Sequence, residues 1–247
     1  MKQEIFQILK NRPLARGVYE LTLSGDTSAI TAPGQFVNIR IDGFYLRRPI
    51  SVCDWEDGKL TLIYKTVGEG TQAMADMPAG AKLNLLTGLG NGFSLQNSGN
   101  MPLLVGGGVG APPLYALAKL LLQAGRTVTV VLGFAGAADA FYLDEFTALG
   151  AQVLCAAQDG SLGTPGTVID ALRTNKPIFD YSYACGPMPM LRALYDYTDV
   201  PGQFSFEERM GCGFGACMGC TCHTITGSKR ICKDGPVLTR EEILWRT

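Results

Sequence analysis

The feature that most constrains this chain is a crowd of cysteines near its C-terminus. Five of its eight cysteines lie between positions 212 and 232. A secreted disulfide framework would be expected in a shorter chain that follows a signal segment, and no such segment is evident here. Clustered cysteines in a reducing compartment instead indicate bound metal. We therefore predict a C-terminal metal centre.

The spacing of these cysteines indicates the kind of centre. Four of them follow the pattern C-x4-C-x2-C-x11-C, namely Cys212, Cys217, Cys220 and Cys232. The first two intervals equal those of plant-type [2Fe–2S] proteins, in which one tight loop supplies three thiolates and a fourth arrives from elsewhere. Glycines between the ligands would allow positive φ and close backbone approach, and we assign this role to Gly211, Gly213, Gly215 and Gly219.

Other interpretations of the cysteines remain open at this stage. A zinc knuckle could use four of the five, although zinc sites favour paired C-x2-C hooks and only Cys217 and Cys220 form one. Disulfides are a further alternative. Cys222 follows Cys220 too closely to replace it, so we treat it as a non-ligand. The single histidine, His223, nearly excludes Ser-His-Asp, Cys-His and multi-histidine zinc mechanisms.

The chain upstream of the cysteines divides into two patterns. Residues 1–97 contain six short runs rich in Val, Ile, Leu, Tyr and Phe, which are separated by Gly, Pro and Asp. Several of these runs alternate apolar and polar residues, and together they predict a small antiparallel barrel. The segment 85–100 lacks periodicity and is predicted to be a linker. Within 98–203, apolar strands alternate with helical segments, which predicts parallel βαβ units. Residues 204–247 would form the cysteine-rich subdomain.

Two motifs in the predicted barrel are weak separately and stronger together. One is Leu46-Arg-Arg-Pro-Ile-Ser51, and the other runs from Leu62 to Thr71 and contains Gly68-Glu-Gly-Thr. On consecutive strands, and ahead of a nucleotide-binding pattern, they resemble the motifs of the ferredoxin–NADP reductase superfamily. The resemblance implies that FAD binds at Arg48, Pro49, Ile50, Ser51, Ile63, Tyr64, Lys65, Gly70 and Thr71.

That resemblance also implies a role for each motif. Arg48 would neutralise the FAD pyrophosphate, and Ser51 would reach the isoalloxazine near N5. Ile63, Tyr64 and Lys65 would line the flavin and its chain. The backbone amides of two further residues would cradle phosphate, namely Gly70 and Thr71.

A strand, a glycine turn and a helix start follow the barrel at Leu103–Pro113. Such a turn lets a dinucleotide pyrophosphate approach the helix N-terminus. The same superfamily places a Cys-Gly-Pro turn beside the nicotinamide, as found here at Ala184–Met188. We assign dinucleotide contacts to Gly106, Gly107, Gly108, Gly110, Cys185, Gly186 and Pro187. The segment Gly133–Asp139 contains no basic residue, so we expect NAD(H) rather than NADP(H).

Barrel, nucleotide domain and cysteine cluster, in this order, cover nearly the whole chain. Together with Glu208–Cys217 and Cys232–Val237, they resemble the electron-transfer subunits of NAD-dependent bacterial dihydroorotate dehydrogenases. The resemblance implies an FMN-containing catalytic partner, a two-plus-two heterotetramer and a place in pyrimidine (UMP) biosynthesis. Electrons would pass from FMN through a [2Fe–2S] cluster and FAD to NAD+. The chain would thus be an oxidoreductase subunit without a catalytic acid–base residue of its own.

Alternatives from other functional classes are kept open by the sequence. A related reductase subunit of a hydrogenase, sulfite reductase or transhydrogenase would carry the same parts, and a zinc-stabilised binding module would lack redox activity. The formal net charge of −1 gives no reason to expect nucleic acid or an anionic membrane as partner. No apolar run approaches the length that spans a bilayer, so we expect a soluble, cytoplasmic protein.

Overall fold

The N-terminal strands close into a six-stranded antiparallel barrel, as predicted. The computed structural model of the chain describes residues 1–245. The strand order around the barrel is β1-β2-β5-β4-β3-β6. The strands are β1 (Lys2–Ala15), β2 (Val18–Ser24), β3 (Phe36–Arg40), β4 (Arg48–Glu56), β5 (Lys59–Lys65) and β6 (Lys82–Leu89).

Alternation of side chains explains how the barrel fills its interior. In β2, Leu21 and Leu23 are buried in the barrel core while Thr22 between them lies partly exposed, because successive side chains of a strand point to opposite faces. A short helix that the sequence did not predict, α1 (Glu69–Ala75), links β5 to β6. β6 continues through Leu89, so the predicted linker begins later than residue 85.

The second domain is a mainly parallel sheet with helices, also as predicted. Its elements up to residue 205 are β7 (Pro102–Gly107), α2 (Pro112–Gln123), β8 (Thr129–Phe134), α3 (Leu143–Ala148), β9 (Gln152–Ala157), β10 (Thr164–Pro165), α4 (Val168–Asn175), β11 (Tyr181–Cys185), α5 (Met188–Tyr197) and β12 (Gly202–Ser205). Most residues of strands β7 and β8 are apolar and buried, because helices cover both faces of a parallel sheet.

Local sequence sets the ends of the helices. Helix α2 begins with Pro112 and Pro113, which need no hydrogen-bond acceptor at these first positions. Helix α4 begins after Thr167, whose hydroxyl and backbone amide both donate to the Asp170 carboxylate at 2.7 Å. Such a capping interaction satisfies groups that a helix start would leave without partners.

The cysteine-rich segment does not form a separate body. It contains the hairpin β13 (Thr221–Thr224) and β14 (Gly227–Arg230), the helical turn α6 (Ile231–Asp234) and the strand β15 (Val237–Thr239). β15 pairs antiparallel with β12 and completes a seven-stranded sheet in the order β10-β9-β8-β7-β11-β12-β15. The predicted boundary between residues 203 and 204 therefore falls inside β12.

Contacts between the barrel and the sheet domain fix how they face each other. Helix α2 packs on β4, and Lys119 of α2 forms an ion pair with Asp54 of β4 at 3.0 Å. The buried Tyr142 hydroxyl donates to the Glu20 carboxylate of β2 at 3.4 Å. These contacts leave two cavities open along the seam between the domains. No helix within residues 1–245 is long and apolar enough to cross a membrane.

Candidate functional site

Two cavities lie along the seam between the barrel and the sheet domain. The larger has a volume of about 630 Å³ and is lined by the turns after β7, β8 and β11. The smaller, of about 470 Å³, lies between β3 and β4 of the barrel and the segment that follows β12. Both volumes lie within the range of small-molecule and cofactor sites. We refer to them as the large cavity and the small cavity.

The large cavity brings the predicted dinucleotide residues together. The glycine turn and the Cys-Gly-Pro turn meet here, although they are far apart in sequence. The lining includes Gly107, Gly108, Gly110, Gly186 and Pro187. A Cβ atom built on Gly110 would lie 2.1 Å from the Cys185 carbonyl oxygen. The two turns therefore touch backbone to backbone, and only glycine fits at this position.

The two remaining predicted dinucleotide residues lie elsewhere. Gly106 is buried inside β7, where a Cβ atom would lie 3.0 Å from Cα of Ala111. Its role is the close packing of β7 against α2. Cys185 lines the small cavity instead, and burial raises the pKa of its thiol to about 12. This thiol stays protonated near neutral pH, so it is suited to packing against a bound ring and not to nucleophilic attack.

The small cavity is where the structure places part of the predicted flavin motif. Pro49 and Ser51 of β4 line it, and Phe36 lies directly opposite Ser51 on the neighbouring strand. On the other side lie Met210 and Phe206, which follow β12. Ile50 points the other way and packs against the barrel core. A flat aromatic group would thus lie between the outer face of the barrel and the segment after β12.

Arg48 and Gly70 form one site on the barrel surface. A Cβ atom on Gly70 would lie 2.3 Å from Nε of Arg48, so the guanidinium rests directly on the backbone at the start of α1. The Thr71 hydroxyl accepts from the amides of Val67 and Gly68, which leaves its backbone amide as the group available for phosphate. A guanidinium beside amides at a helix start suits a diphosphate.

The three predicted flavin contacts on β5 have different surroundings. Tyr64 is buried in the barrel core, stacked on Tyr19, and its hydroxyl donates to Oδ1 of Asn11 at 3.1 Å. Ile63 is buried at the seam between the domains. Only Lys65 lines a cavity, and this is the large one. Flavin contact by Ile63 and Tyr64 stays a prediction, and their burial gives it no support.

Glu207 is a site residue that the sequence did not reveal. It lines both the large and the small cavity. The residue is exposed along these cavities, and desolvation by the protein around it raises the pKa of its carboxyl group. The one available signal was its place after a strand of the parallel sheet, where ligands bind in α/β folds. Because β12 was not predicted, that signal was missed.

Amide-to-sulfur hydrogen bonds link the four predicted cysteine ligands in two pairs. The Cys212 amide donates to Sγ of Cys217 at 3.5 Å, and the Cys232 amide donates to Sγ of Cys220 at 3.4 Å. Two pairs suit two irons with two thiolates each. The Ala216 and Cys217 amides also donate to Sγ of Cys212, at 3.2 and 3.4 Å. Hydrogen bonds to the sulfurs are a feature of iron–sulfur sites, so the donor set fits the predicted cluster.

The surroundings of two of these thiols shift their pKa values in opposite directions. Burial opposes ionisation of Cys212, but amide hydrogen bonds, first from Cys217, outweigh it and lower the thiol pKa to about 6. Burial and the neighbouring Cys220 raise the pKa of Cys232 to about 12. A thiolate at Cys232 therefore requires a cation beside it, which bound iron would supply.

The loop of residues 211–220 carries the first three predicted cysteine ligands, and we call it the cluster loop. Its glycines have two different roles. Gly213 and Gly215 adopt φ of +79° and +91°, as predicted. Gly211 and Gly219 do not have positive φ, so the prediction was wrong for them. Gly211 instead gives room, because a Cβ atom there would lie 3.3 Å from Sγ of Cys217. The left-handed position beside Gly219 belongs to Met218, with φ of +59°.

Among residues 1–245, the acidic, cysteine and histidine side chains do not gather around a single point. Within the part of the chain that the structure describes, no group of three or more His, Cys, Asp or Glu side chains converges as a one-metal site would. A tetrahedral zinc site needs four such donors around one point. Cys222 lies on β13, partly buried against the core, and its absence from the ligand set stays a prediction.

The tertiary structure places a basic residue beside the segment that was expected to distinguish NAD from NADP. The segment after β8 has no basic residue of its own, but the barrel brings Arg16 to it. Nη2 of Arg16 lies 2.6 Å from Oδ2 of Asp139, and Asp139 lines the large cavity. The hydrogen bond from Arg16 lowers the pKa of Asp139, so both groups are charged and neutralise each other. We therefore expect the preference for NAD(H) to depend on this ion pair.

We expect Asp139→Asn to shift the nucleotide preference toward NADP(H). Without the carboxylate, Arg16 is free to pair with a 2′-phosphate, and the NADPH-to-NADH ratio of kcat/KM should rise about tenfold. The measurement is reduction of an artificial electron acceptor by each nucleotide. The matched control is Asp144→Asn, an exposed aspartate on α3. An unchanged ratio in Asp139→Asn would show that this ion pair does not control specificity.

The chain is similar to known proteins along nearly its whole length. Residues 207–244 match the family described as the iron-sulfur cluster binding domain of dihydroorotate dehydrogenase B. A Bacillus caldolyticus protein named "Dihydroorotate dehydrogenase B (NAD(+)), electron transfer subunit" is 44% identical over 98% of both chains. A protein of the same name from Geobacillus sp. (strain WCH70) is 43% identical over 99% of both chains.

Solved structures support the same architecture. The chain resembles the structure described as "Insights into flavin-based electron bifurcation via the NADH-dependent reduced ferredoxin-NADP oxidoreductase structure". The TM-score is 0.88 at 31% identity, over 97% of this chain and 90% of the other. A Neisseria gonorrhoeae ferredoxin NADP+ reductase gives a TM-score of 0.68 at 17% identity, over 80% of this chain and 90% of the other. At that identity the likeness concerns the fold alone.

Proposed function

Because this chain belongs to the family of electron transfer subunits of dihydroorotate dehydrogenase B (NAD(+)), we propose that it carries electrons from a dihydroorotate-oxidising partner subunit to NAD+. It is an oxidoreductase subunit with a flavin reductase fold and an iron–sulfur binding domain. The relation to the ferredoxin–NADP reductase superfamily, predicted from motifs, is confirmed. The partner's FMN, the two-plus-two stoichiometry and a cytoplasmic location belong to this proposal.

One observation carries the proposal most directly. The segment after β12 lines the small cavity through Met210 and then supplies the first cysteine ligand two residues later. A flavin cavity and a cluster loop are thus continuous along the chain. When bound, FAD exchanges two electrons with a nicotinamide and single electrons with an iron–sulfur cluster. The residues of this chain need only hold these groups in place.

The residues have separate tasks in this function. Arg48 and the amides at the start of α1 would hold the FAD diphosphate, while Pro49 and Ser51 would border the ring. The glycine turns of the large cavity would hold the dinucleotide. Glu207 lies where the two cavities meet, so its carboxylate would border both the flavin and the nicotinamide. Orotate chemistry would belong to the partner.

The experiment that tests the proposal uses the complex. The chain is co-expressed with the catalytic subunit of its organism, purified without air, and examined by visible spectroscopy, iron and flavin analysis and native mass spectrometry. We expect flavin and iron–sulfur absorption, a two-plus-two mass and dihydroorotate-dependent reduction of NAD+. Colourless, iron-free protein that does not reduce NAD+ would overturn the proposal.

The same experiment separates the alternatives raised by the sequence. A zinc-stabilised module would contain zinc and show no visible absorption. A related reductase subunit would be coloured and would oxidise NADH with an artificial acceptor, but it would form no complex with the dihydroorotate-oxidising subunit. The names of the relatives that match this chain nearly end to end favour the first proposal.

A further inference from the structure

The outer face of the barrel beside the small cavity carries a buried asparagine, Asn38, whose side chain does not line that cavity. Asn38 lies on β3 and is only 1% exposed. It faces Pro49 across the strand pair, while Phe36 faces Ser51. Side chains two residues apart on a strand project from the same face. Three of these four residues line the small cavity, and the fourth, Asn38, contacts the cluster loop instead.

The contact is specific for an amide donor. Nδ2 of Asn38 donates to the carbonyl oxygen of Cys212, the first cluster ligand, at 3.1 Å. The next residue must be glycine, because a Cβ atom on Gly213 would lie 2.3 Å from Nδ2 of Asn38. The backbone of the cluster loop therefore lies directly against this side chain. No apolar residue could replace the hydrogen bond.

No hydrogen bond within the barrel requires an asparagine side chain at this position. Oδ1 of Asn38 is buried and has no hydrogen-bond partner among the described residues. Burying an unpaired polar atom is unfavourable, so an apolar side chain would suit this barrel face better. The one bond that the side chain makes is to the cluster loop. This points to a role in the placement of that loop.

From this geometry we propose that Asn38 is a positioning residue for electron transfer inside the chain. By holding Cys212 against β3, it fixes the separation between the cluster and a flavin bound in the small cavity. Phe36, which borders that cavity, is two residues from Asn38 and thus roughly 7 Å away along the strand. The inference rests on the proposed function, because it concerns transfer between the two proposed redox groups.

The sharpest test is Asn38→Asp. This change keeps the shape of the side chain but replaces the donor by an oxygen that repels the Cys212 carbonyl. The matched control is Asn84→Asp on the neighbouring strand β6, where Oδ1 already accepts from Nη2 of Arg47 at 2.7 Å. Asn84 makes its hydrogen bonds with Arg47 and none with the cluster loop among the described contacts, so its variant should behave as wild type.

The measurement is reduction of the cluster by NADH in the intact complex, followed by rapid-freeze electron paramagnetic resonance. We expect Asn38→Asp to reduce its cluster about tenfold more slowly, since small misplacements of reacting groups have large kinetic effects. The g values of the reduced cluster should also shift. Reduction of an artificial acceptor that takes electrons from the flavin should stay at the wild-type rate. A wild-type rate of cluster reduction with unchanged g values would overturn the inference.

A second measurement decides the case in which Asn38→Asp fails to retain its cluster. Hydrogen–deuterium exchange of residues 211–217 is compared in the iron-free forms of both variants. Faster exchange in Asn38→Asp than in Asn84→Asp supports the inference, and equal exchange overturns it. Failure of the proposed function looks different, because the wild-type complex would then show no NADH-reducible cluster at all.

Discussion

Replacing Cys220 by alanine should abolish dihydroorotate-dependent NAD+ reduction while NADH oxidation by an artificial acceptor continues. Cys220 is buried and its Sγ accepts the Cys232 amide, so its loss removes one of the two thiolates predicted for one iron. Changes around a metal site, outside its ligands, already lower affinity roughly 10–100-fold, and loss of a ligand should have a larger effect. We expect the purified variant to contain almost no iron. Its dihydroorotate-dependent reduction of NAD+ should fall by roughly a hundredfold or more, at or beyond the upper end of the range for changes outside the ligands.

The reason that NADH oxidation should survive lies in the geometry. The large cavity, the Arg48–Gly70 site and the glycine turns are built from the barrel and the parallel sheet. None of them depends on Cys220, so FAD content should stay near one per chain. The acceptor assay with ferricyanide should therefore remain within about twofold of wild type, the scale expected of an independent site.

The matched control for this prediction is Cys222→Ala. Cys222 lies two residues further along, on β13, and is partly buried. Because we place it outside the ligand set, its variant should keep iron, absorption and coupled activity. If Cys222→Ala lost the cluster and Cys220→Ala kept it, the assignment of the third ligand would be wrong.

The second large effect is expected from Arg48→Ala, which should lose FAD. The guanidinium rests on Gly70 at the start of α1, where a diphosphate would receive two charge-assisted hydrogen bonds. Hydrogen bonds to charged groups contribute about 1.5–3 kcal/mol each, so loss of both should lower the affinity for FAD roughly 10²- to 10⁴-fold. The measurements are the flavin-to-protein ratio after purification and a titration of the flavin-free chain with FAD.

Two other arginines provide the controls for Arg48→Ala. Arg40 is exposed, and its nearest carboxylate, Asp42, is 3.9 Å away, so Arg40→Ala should leave FAD binding and stability unchanged. Arg47 donates to the carbonyls of Asn38 and Asn84, so Arg47→Ala should lower the melting temperature of the barrel. If Arg40→Ala and Arg48→Ala released FAD equally, the effect would come from general charge and not from a diphosphate site.

The fold was largely predictable because its signals are local. Short apolar runs bounded by turn residues predicted all six barrel strands, and helix α2 has the predicted bounds, Pro112 to Gln123. Five strands were missed, namely β10 and β12 to β15, and all are short. Two of them, β12 and β15, are stabilised by pairing with partners distant in sequence. Helix α1 was missed because glycine and threonine at its start suggested a loop.

The site was predictable where a motif is contiguous and not where it depends on a contact. The cysteine spacing and the glycine turn are properties of short segments, so the sequence could assign their residues a role, and the structure brings the glycine turn to the large cavity. Tyr64 was assigned to the flavin because it belongs to a motif, yet its side chain fills the barrel core. The direction of a side chain depends on strand register, which the motif does not state.

The sequence by itself determined the strand and helix periodicity, the two glycine turns and the four-cysteine spacing, because each is fixed by the geometry of a short stretch of backbone. Only the tertiary structure brought Asn38 to Cys212, 174 residues away, and Arg16 to Asp139, 123 residues away. It also placed Glu207 where the two cavities meet. Such contacts depend on how two domains pack against each other, and no local repeat of residues encodes that orientation.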